Sequence, residues 1–244
     1  KNGATRKSLM INLGGGMVTD LGGFAASTFK RGMEYVNVPT TLLGAVDAAV
    51  GGKTGINFGG LKNEIGVINS SKSVVINADF FRTLDAENLR SGYAEMIKHG
   101  LISNTEIWKH ILSFDLDNVD YNRLSELLLE SISVKEKVVE IDPTEKGLRK
   151  VLNFGHTVGH AFESYAMEMG KPVLHGYAVA WGMISELYLS YKLLGFPKET
   201  LSTAVRMIKE NYGALPIKCD VYDHLYDLMT HDKKNEGDGR ILFS

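Results

Sequence analysis

Four polar side chains with chemical potential are crowded into Arg149-Lys-Val-Leu-Asn153-Phe-Gly-His156-Thr-Val-Gly-His160. Read as helix, this segment puts His156 and His160 four apart on one face, with Asn153 three before His156 and Arg149 four before Asn153. Imidazoles at that spacing suit a divalent metal or proton transfer, and Arg with Asn suits an anionic ligand. Gly155 and Gly159 each cost a helix interior about 1 kcal/mol relative to Ala, so something must approach the backbone closely there. His175 heads the next apolar-periodic segment. Glu95 stands in the apolar stretch Tyr93-Ala-Glu-Met-Ile97, where a carboxylate needs a partner. A His₂Glu set on separate helices is a recognised catalytic zinc arrangement with one position open to a substrate oxygen. Lys98, one turn beyond Glu95, belongs beside the same site. A hydrogen-bonded core or surface role is the alternative for any single histidine, and four polar positions in one segment weigh against it.

Two glycine-rich segments extend the chemistry. Gly14, Gly15 and Gly16 follow an apolar run and open a helical pattern, where backbone N–H groups and the helix dipole favour a pyrophosphate. Asp20 lies just inside that helix. Thr19 stands where a dinucleotide fingerprint has its third Gly, so the match is loose and a plain tight turn is the alternative. The second segment, Asp47-Ala-Ala-Val-Gly-Gly-Lys53-Thr-Gly-Ile-Asn57 with Gly59-Gly-Leu-Lys62-Asn63, sets five glycines near two lysines and two asparagines. Such a segment lets backbone approach a ligand while Lys supplies charge and Asn hydrogen bonds. A solvated flexible loop is the alternative. Isolated from acidic partners, these lysines do not read as routine surface pairing.

The elements that must position these residues fall into two groups. Ser8–Leu13, Tyr35–Val38 (stopped by Pro39) and Val74–Asn77 read as strands, with Val18, Leu21, Ala25 and Thr28 recurring at helical spacing between the first two. Strands separated by helices predict a parallel α/β sheet. From about Leu84 the pattern is helical throughout. Leu124, Leu127, Leu128, Ser131, Val134, Val138 and Ile141 mark one long amphipathic face, and Thr157–Met169, Gly176–Leu194 and Lys198–Tyr212 follow. An α/β domain over residues 1–84 and an all-α domain over 85–244 are therefore expected. Ile241-Leu-Phe-Ser244 reads as a strand-like run, and three strands make a thinly covered sheet. Further segments are thus expected before Lys1 and after Ser244. A hydrophobic share of 44% and a charged share of 23% describe an ordinary globular chain, and a net charge of -2 argues against a nucleic-acid partner. Cys219 is the single cysteine, which excludes an internal disulfide and a Cys-based zinc site. No apolar run reaches the roughly 20 residues of a membrane span, and the start KNGATRKS lacks a signal-peptide core. A cytoplasmic location without membrane contact is expected.

INLGGGMVTDLGGFAASTFKRG, VPTTLLGAVDAAVGGKTGIN, GLKNEIG, AEMIKHG, GLRKVLNFGHTVGHAFE and LHGYAVAWGM resemble, in order and spacing, the motifs of the 3-dehydroquinate synthase family of sugar-phosphate cyclases. The resemblance runs from about Arg6 to Ser244. It implies a Rossmann-like NAD domain followed by a helical metal domain, with the active site between them. It also implies zinc, with cobalt as the alternative, on Glu95, His156 and His175. NAD contacts map to Gly14, Gly15, Gly16, Asp20, Thr40, Thr41 and Thr83. Catalytic and substrate roles map to Lys98, Lys135, Arg149, Asn153 and His160, and to Asp47, Lys53, Lys62, Asn63, Lys233 and Lys234. Arg31 is implied to reach a neighbouring subunit's phosphate site, hence a homodimer. The implied activity is that of the shikimate pathway: a lyase converting a phosphorylated sugar acid, 3-deoxy-D-arabino-heptulosonate 7-phosphate, to 3-dehydroquinate and phosphate. A 2-deoxy-scyllo-inosose synthase-like cyclase, an alcohol dehydrogenase of the same superfold, an inactive fragment and a helical interaction module are the rivals. The sequence departs from the family pattern at Glu87, Asn88 and Tyr177, none of which carries an implied metal or chemical role. The family's first strands, which hold part of NAD, lie upstream of Lys1, so weak NAD affinity is expected of this chain.

Overall fold

A computed structural model describes residues 3–58, 61–230 and 241–243. The apolar run Leu9–Gly14 forms β1, which turns at Gly15 into helix α1 (Gly16–Thr28). β2 (Glu34–Pro39) returns parallel to β1, with Leu9 opposite Glu34 and Gly14 opposite Pro39. Parallel neighbours need a crossover, and α1 supplies it. Asn12 and Asn37 are buried at matching register and hydrogen-bond each other at 2.9 Å, which satisfies two amides inside the sheet.

Lys53–Phe58 (β3) and Leu61–Ile68 (β4) pair antiparallel as a separate hairpin. This corrects the reading of that segment as an open loop. Its apolar alternation is short (Ile56 and Phe58; Ile65 and Val67) and Phe58, Ile65 and Val67 are exposed, so its order comes from pairing of the two strands and from Thr54 and Gly55 being buried where β3 packs on α1. β5 (Ser73–Val74) pairs parallel with β2, giving the order β1-β2-β5. It is shorter than the expected Val74–Asn77, because Asn77 turns away to accept from the Asp79 N–H and cap a 3₁₀ helix over Ala78–Thr83.

The remainder is largely helical: α2 (Ala86–Ile102), α3 (Thr105–Leu112), α4 (Tyr121–Ile141), α5 (His156–Glu168), α6 (His175–Leu194), α7 (Lys198–Tyr212) and α8 (Tyr222–Thr230). Asp85, Asn104 and Asp120 cap α2, α3 and α4 by accepting from first-turn N–H groups. α2 is the central helix, buried from Ser91 to Gly100, and it packs against α3, α4 and α6. Ile241–Phe243 forms no regular element, against the strand-like reading, and the Leu242 carbonyl instead accepts from Thr157 Oγ1 at 3.0 Å. The parallel α/β part followed by a helical part is the fold class the sequence predicts. Among the described residues no helix is long and apolar enough to cross a membrane.

Candidate active site

Glu95, fully buried in the middle of α2, faces the first residues of two other helices, His156 of α5 and His175 of α6. His156 Nε2 lies 3.4 Å from Glu95 Oε1, and His175 Nε2 lies 4.0 Å from the same oxygen. One ligand atom from each residue falls within 4.8 Å of the others. Among the described residues Glu95 Oε1 has no hydrogen-bond partner, and leaving a buried carboxylate oxygen unsatisfied is costly. A divalent cation between the three groups would satisfy it. The far sides of the rings agree: His156 Nδ1 lies 3.1 Å from the Phe154 carbonyl and His175 Nδ1 lies 3.3 Å from Glu163 Oε2. Protons on both Nδ1 atoms leave both Nε2 lone pairs for a metal. Two nitrogens and a carboxylate oxygen suit zinc or cobalt. Lys98 pairs with Glu95 Oε2.

The local fold explains this convergence. The expected continuous helix from Arg149 to His160 is two pieces: a 3₁₀ helix over Leu148–Asn153, then α5. Gly155 separates them with φ +79°, a left-handed conformation that L side chains disfavour. The close approach foreseen at Gly155 and Gly159 is made by the backbone of α6. A Cβ on Gly182 would lie 2.1 Å from the Gly155 carbonyl oxygen and 2.6 Å from the Gly159 nitrogen. Glu186, also on α6 and buried, accepts from Gly155 N–H at 2.8 Å and Val158 N–H at 3.4 Å, capping α5 from its neighbour. At the head of α6, Gly176 meets α2, where a Cβ would fall 1.9 Å from the Ser91 carbonyl oxygen.

A field of charged groups runs from this cluster. Lys135 on α4 pairs with Asp47. Burial by itself pushes the Asp47 carboxyl up, but Lys135 and Lys98 outweigh it and hold the group well below the usual carboxylate range. Burial in turn lowers Lys135 against the pull of Asp47. Asp20 on α1 faces the same pair. Burial, with help from Asp47, pushes it up to about 6 despite Lys135. Gly51 (φ +104°) carries the chain between Lys135 and Arg149, whose guanidinium donates to the Gly51 carbonyl at 3.1 Å and the Pro143 carbonyl at 2.8 Å. Glu145, with a left-handed φ of +60°, accepts from Asn153 Nδ2 at 2.8 Å and from Lys53. Burial raises its carboxyl, and the bonds from Lys53 and Asn153 override that and lower it. Lys53 is therefore paired, contrary to the sequence expectation, with an acid distant in the chain. His160 stands edge-on to His156 with ring centroids 5.4 Å apart, and 5.9 Å from His175.

Gly14–Gly16 meets Thr40 and Thr41 where β1 and β2 end. Thr40 N–H donates to the Gly14 carbonyl at 2.9 Å, and a Cβ on Gly15 would lie 3.1 Å from Thr41. Ligands of parallel α/β sheets bind outside the carboxyl ends of strands. Thr83 is exposed at the end of the Ala78–Thr83 turn, its hydroxyl bonded to the Phe80 carbonyl at 3.1 Å. Arg31 is exposed on the turn after α1 with φ +71°. Asn63 is exposed, its N–H donating to Asn57 Oδ1 at 3.0 Å, and Lys62 stands second in β4. Lys233 and Lys234 lie outside the described residues. Glu145, Glu163 and Glu186 were not singled out by sequence. A signal existed for Glu163, which follows His156 by seven and His160 by three and so shares their helix face. An apolar cavity of about 1100 Å³ lies elsewhere, lined by Phe162, Tyr188, Leu201, Tyr226 and Phe243 among others.

Comparison with known proteins covers nearly the whole chain. The model of the 3-dehydroquinate synthase N-terminal region matches residues 1–91, and that of the C-terminal region matches residues 92–235. A 3-dehydroquinate synthase of Parabacteroides distasonis is 61% identical over 242 residues, covering 99% of this chain and 68% of that protein. One of Clostridium tetani is 39% identical, covering 99% of this chain and 65% of that protein. The chain thus spans about two thirds of the length of these curated relatives. Among solved structures, 2-deoxy-scyllo-inosose synthase complexed with carbaglucose-6-phosphate, NAD+ and Co2+ superposes with TM-score 0.82 at 26% identity, covering 95% of this chain and 64% of that one. ValA, a 2-epi-5-epi-valiolone synthase from Streptomyces hygroscopicus subsp. jinggangensis with NAD+ and Zn2+ bound, gives 0.76 at 28% identity, covering 91% and 61%. With both of its halves matched by the family's own models and 61% identity to one curated member, the chain belongs to the 3-dehydroquinate synthase family.

Proposed function

We propose that the protein acts as a 3-dehydroquinate synthase, taking 3-deoxy-D-arabino-heptulosonate 7-phosphate to 3-dehydroquinate and phosphate with NAD restored at the end of each turnover. The observation that carries this reading is the buried, orphaned Glu95 Oε1 facing two imidazoles beside a run of cations, Lys98, Lys135, Arg149 and Lys53. Glu95, His156 and His175 would hold the metal. Gly14, Gly15, Gly16, Asp20, Thr40, Thr41 and Thr83 would hold NAD. When bound, these groups supply a Lewis acid and a reversible hydride acceptor. The NAD+ with Co2+ or Zn2+ in the solved relatives supports both assignments.

The chain's own residues do the rest. A substrate carrying a carboxylate and a phosphate needs convergent cations in a protein of nearly neutral charge. Arg149, Asn153 and Lys53 take one anionic end, with Lys62, Asn63 and Lys233 or Lys234 extending the set. Lys135 and Asp47 orient hydroxyl groups by donating and accepting. Lys98 holds the Glu95 carboxylate in place through its Oε2, and His160 holds or moves a proton at an imidazole nitrogen beside the metal ligands. Residues 1–84 and 85–244 serve as cofactor and metal parts. Arg31 completes the phosphate site of a second copy in a cytoplasmic homodimer. A cyclase for a neutral sugar phosphate would need no carboxylate subsite, so Arg149→Ala separates the two substrates.

The test is phosphate release from 3-deoxy-D-arabino-heptulosonate 7-phosphate by the natural-length protein, with NAD and zinc supplied together and each withheld. Release that requires both is expected. Full-rate release after chelation, or none under any condition, overturns the reading.

A further inference from the structure

We infer that Glu163 is a positioning residue that fixes the ring of His175 for metal binding. The inference rests on the metal reading of Glu95, His156 and His175. His175 Nε2 faces the orphaned Glu95 Oε1 at 4.0 Å, so its other nitrogen points away from the cluster, and there Glu163 Oε2 lies 3.3 Å from Nδ1. A neutral imidazole that presents its Nε2 lone pair must carry its proton on Nδ1. A carboxylate at that nitrogen selects the tautomer, holds the ring plane and makes the ligating nitrogen more basic.

The two histidines are served differently. His156 Nδ1 is held by a neutral acceptor, the Phe154 carbonyl, within its own turn. His175 is the first residue of α6, preceded by the extended Leu174, which makes no side-chain capping bond, so its own turn offers no comparable hold. The acceptor comes from α5, where Glu163 follows His160 by three and His156 by seven and is turned toward the head of α6. Glu163 is 9% exposed and His175's side chain 25%, so water screens the contact only in part. Glu163 is not one of the clustered ligand residues. Its carboxylate sits behind the ring, as a partner of the ligand.

The test measures zinc affinity of the full protein by competition with a chromophoric chelator, and the visible spectrum of the cobalt-loaded form. Glu163→Ala is expected to weaken zinc about 10- to 100-fold and to shift the cobalt bands, with the melting temperature of the metal-free protein little changed. Glu163→Gln keeps an acceptor oxygen and loses the charge. It should weaken zinc by only about fivefold, a partial rescue that removing a mere packing contact would not give. If Glu163→Ala does not fold, the Gln variant decides by the same two readouts. Zinc affinity within about twofold of the parent with an unchanged cobalt spectrum overturns the inference. His175→Ala is the control: unchanged zinc affinity there sinks the metal reading itself, and this inference with it.

Discussion

Asp20 changes charge near the pH at which the protein would work, because burial and Asp47 raise its carboxyl to about 6 from 3.8. Between those values the folded state binds more protons than the unfolded state. Its contribution to stability is therefore full below about pH 4 and is lost as pH rises through about 6. Asp20→Asn should stabilise the protein at pH 7 by about 1–2 kcal/mol, after allowing for solvent screening of a partly exposed group. The gain should vanish near pH 4. Urea denaturation at both pH values checks it, and an equal gain at each would refute the charge argument. Lys53 offers a second residue-scale prediction, since it is half exposed and pairs with Glu145 at the proposed anionic subsite. Lys53→Ala should raise KM for the phosphorylated substrate about tenfold, the worth of one charge-assisted bond, with little change in kcat or melting temperature. A kcat loss with unchanged KM would count against its binding role. Individual residues were the most legible part of this protein. Glu95 betrayed itself as a carboxylate among apolar neighbours, and the histidines by spacing and flanking glycines. The partner of Lys53 was illegible, because Glu145 reaches it only after α4 and the turn at φ +60° bring two distant segments together.

At the scale of elements, the α5–α6 contact decides the site. Backbone meets backbone there, so Gly182→Ala cannot be absorbed by a side-chain rotation, since its Cβ would overlap the Gly155 carbonyl at 2.1 Å. A loss of about 3 kcal/mol or more is expected, in the range of severe overpacking, with weaker zinc binding from displaced His156. Thermal denaturation with a zinc titration tests both. A variant that melts normally and binds zinc normally would show the helices free to separate. The long helices were readable from their apolar period, and their ends from Asp, Asn and Gly. The β3–β4 hairpin was not, because its alternation of Ile56 with Phe58 and of Ile65 with Val67 is short and diluted by Gly, Lys and Asn, and α1 helps supply its order. The break at Gly155 was hidden for a related reason: the polar spacing across it happens to match a helix.

For the whole molecule, the metal would join three helices distant in sequence, α2, α5 and α6. A ligand present at about 1,000 times its dissociation constant stabilises the native state by roughly 4 kcal/mol. In a chain of this size that corresponds to roughly 10 °C in melting temperature. Chelation of the zinc-loaded protein should lower the melting temperature by about that much, as calorimetry would read, and Glu95→Gln should abolish the difference. An unchanged melt would mean that the three helices are held without it. The division into α/β and helical parts was legible because periodicity changes along the chain. How the two parts face each other was not, because the ion pair of Asp47 with Lys135 and the bond of Arg149 to Gly51 depend on three-dimensional packing that no local pattern encodes. The glycine contacts carry one more consequence. Gly182 against Gly155 and Gly159, and Gly176 against Ser91, bring α2, α5 and α6, which carry the proposed ligands, together through main chain. At these closest approaches no side chain stands between the backbones, so the helix spacing there is fixed by main chain. A protein engineer who wants a larger or smaller ion at the proposed site would find more freedom in Glu95, His156 and His175 than in glycine joints that admit no Cβ.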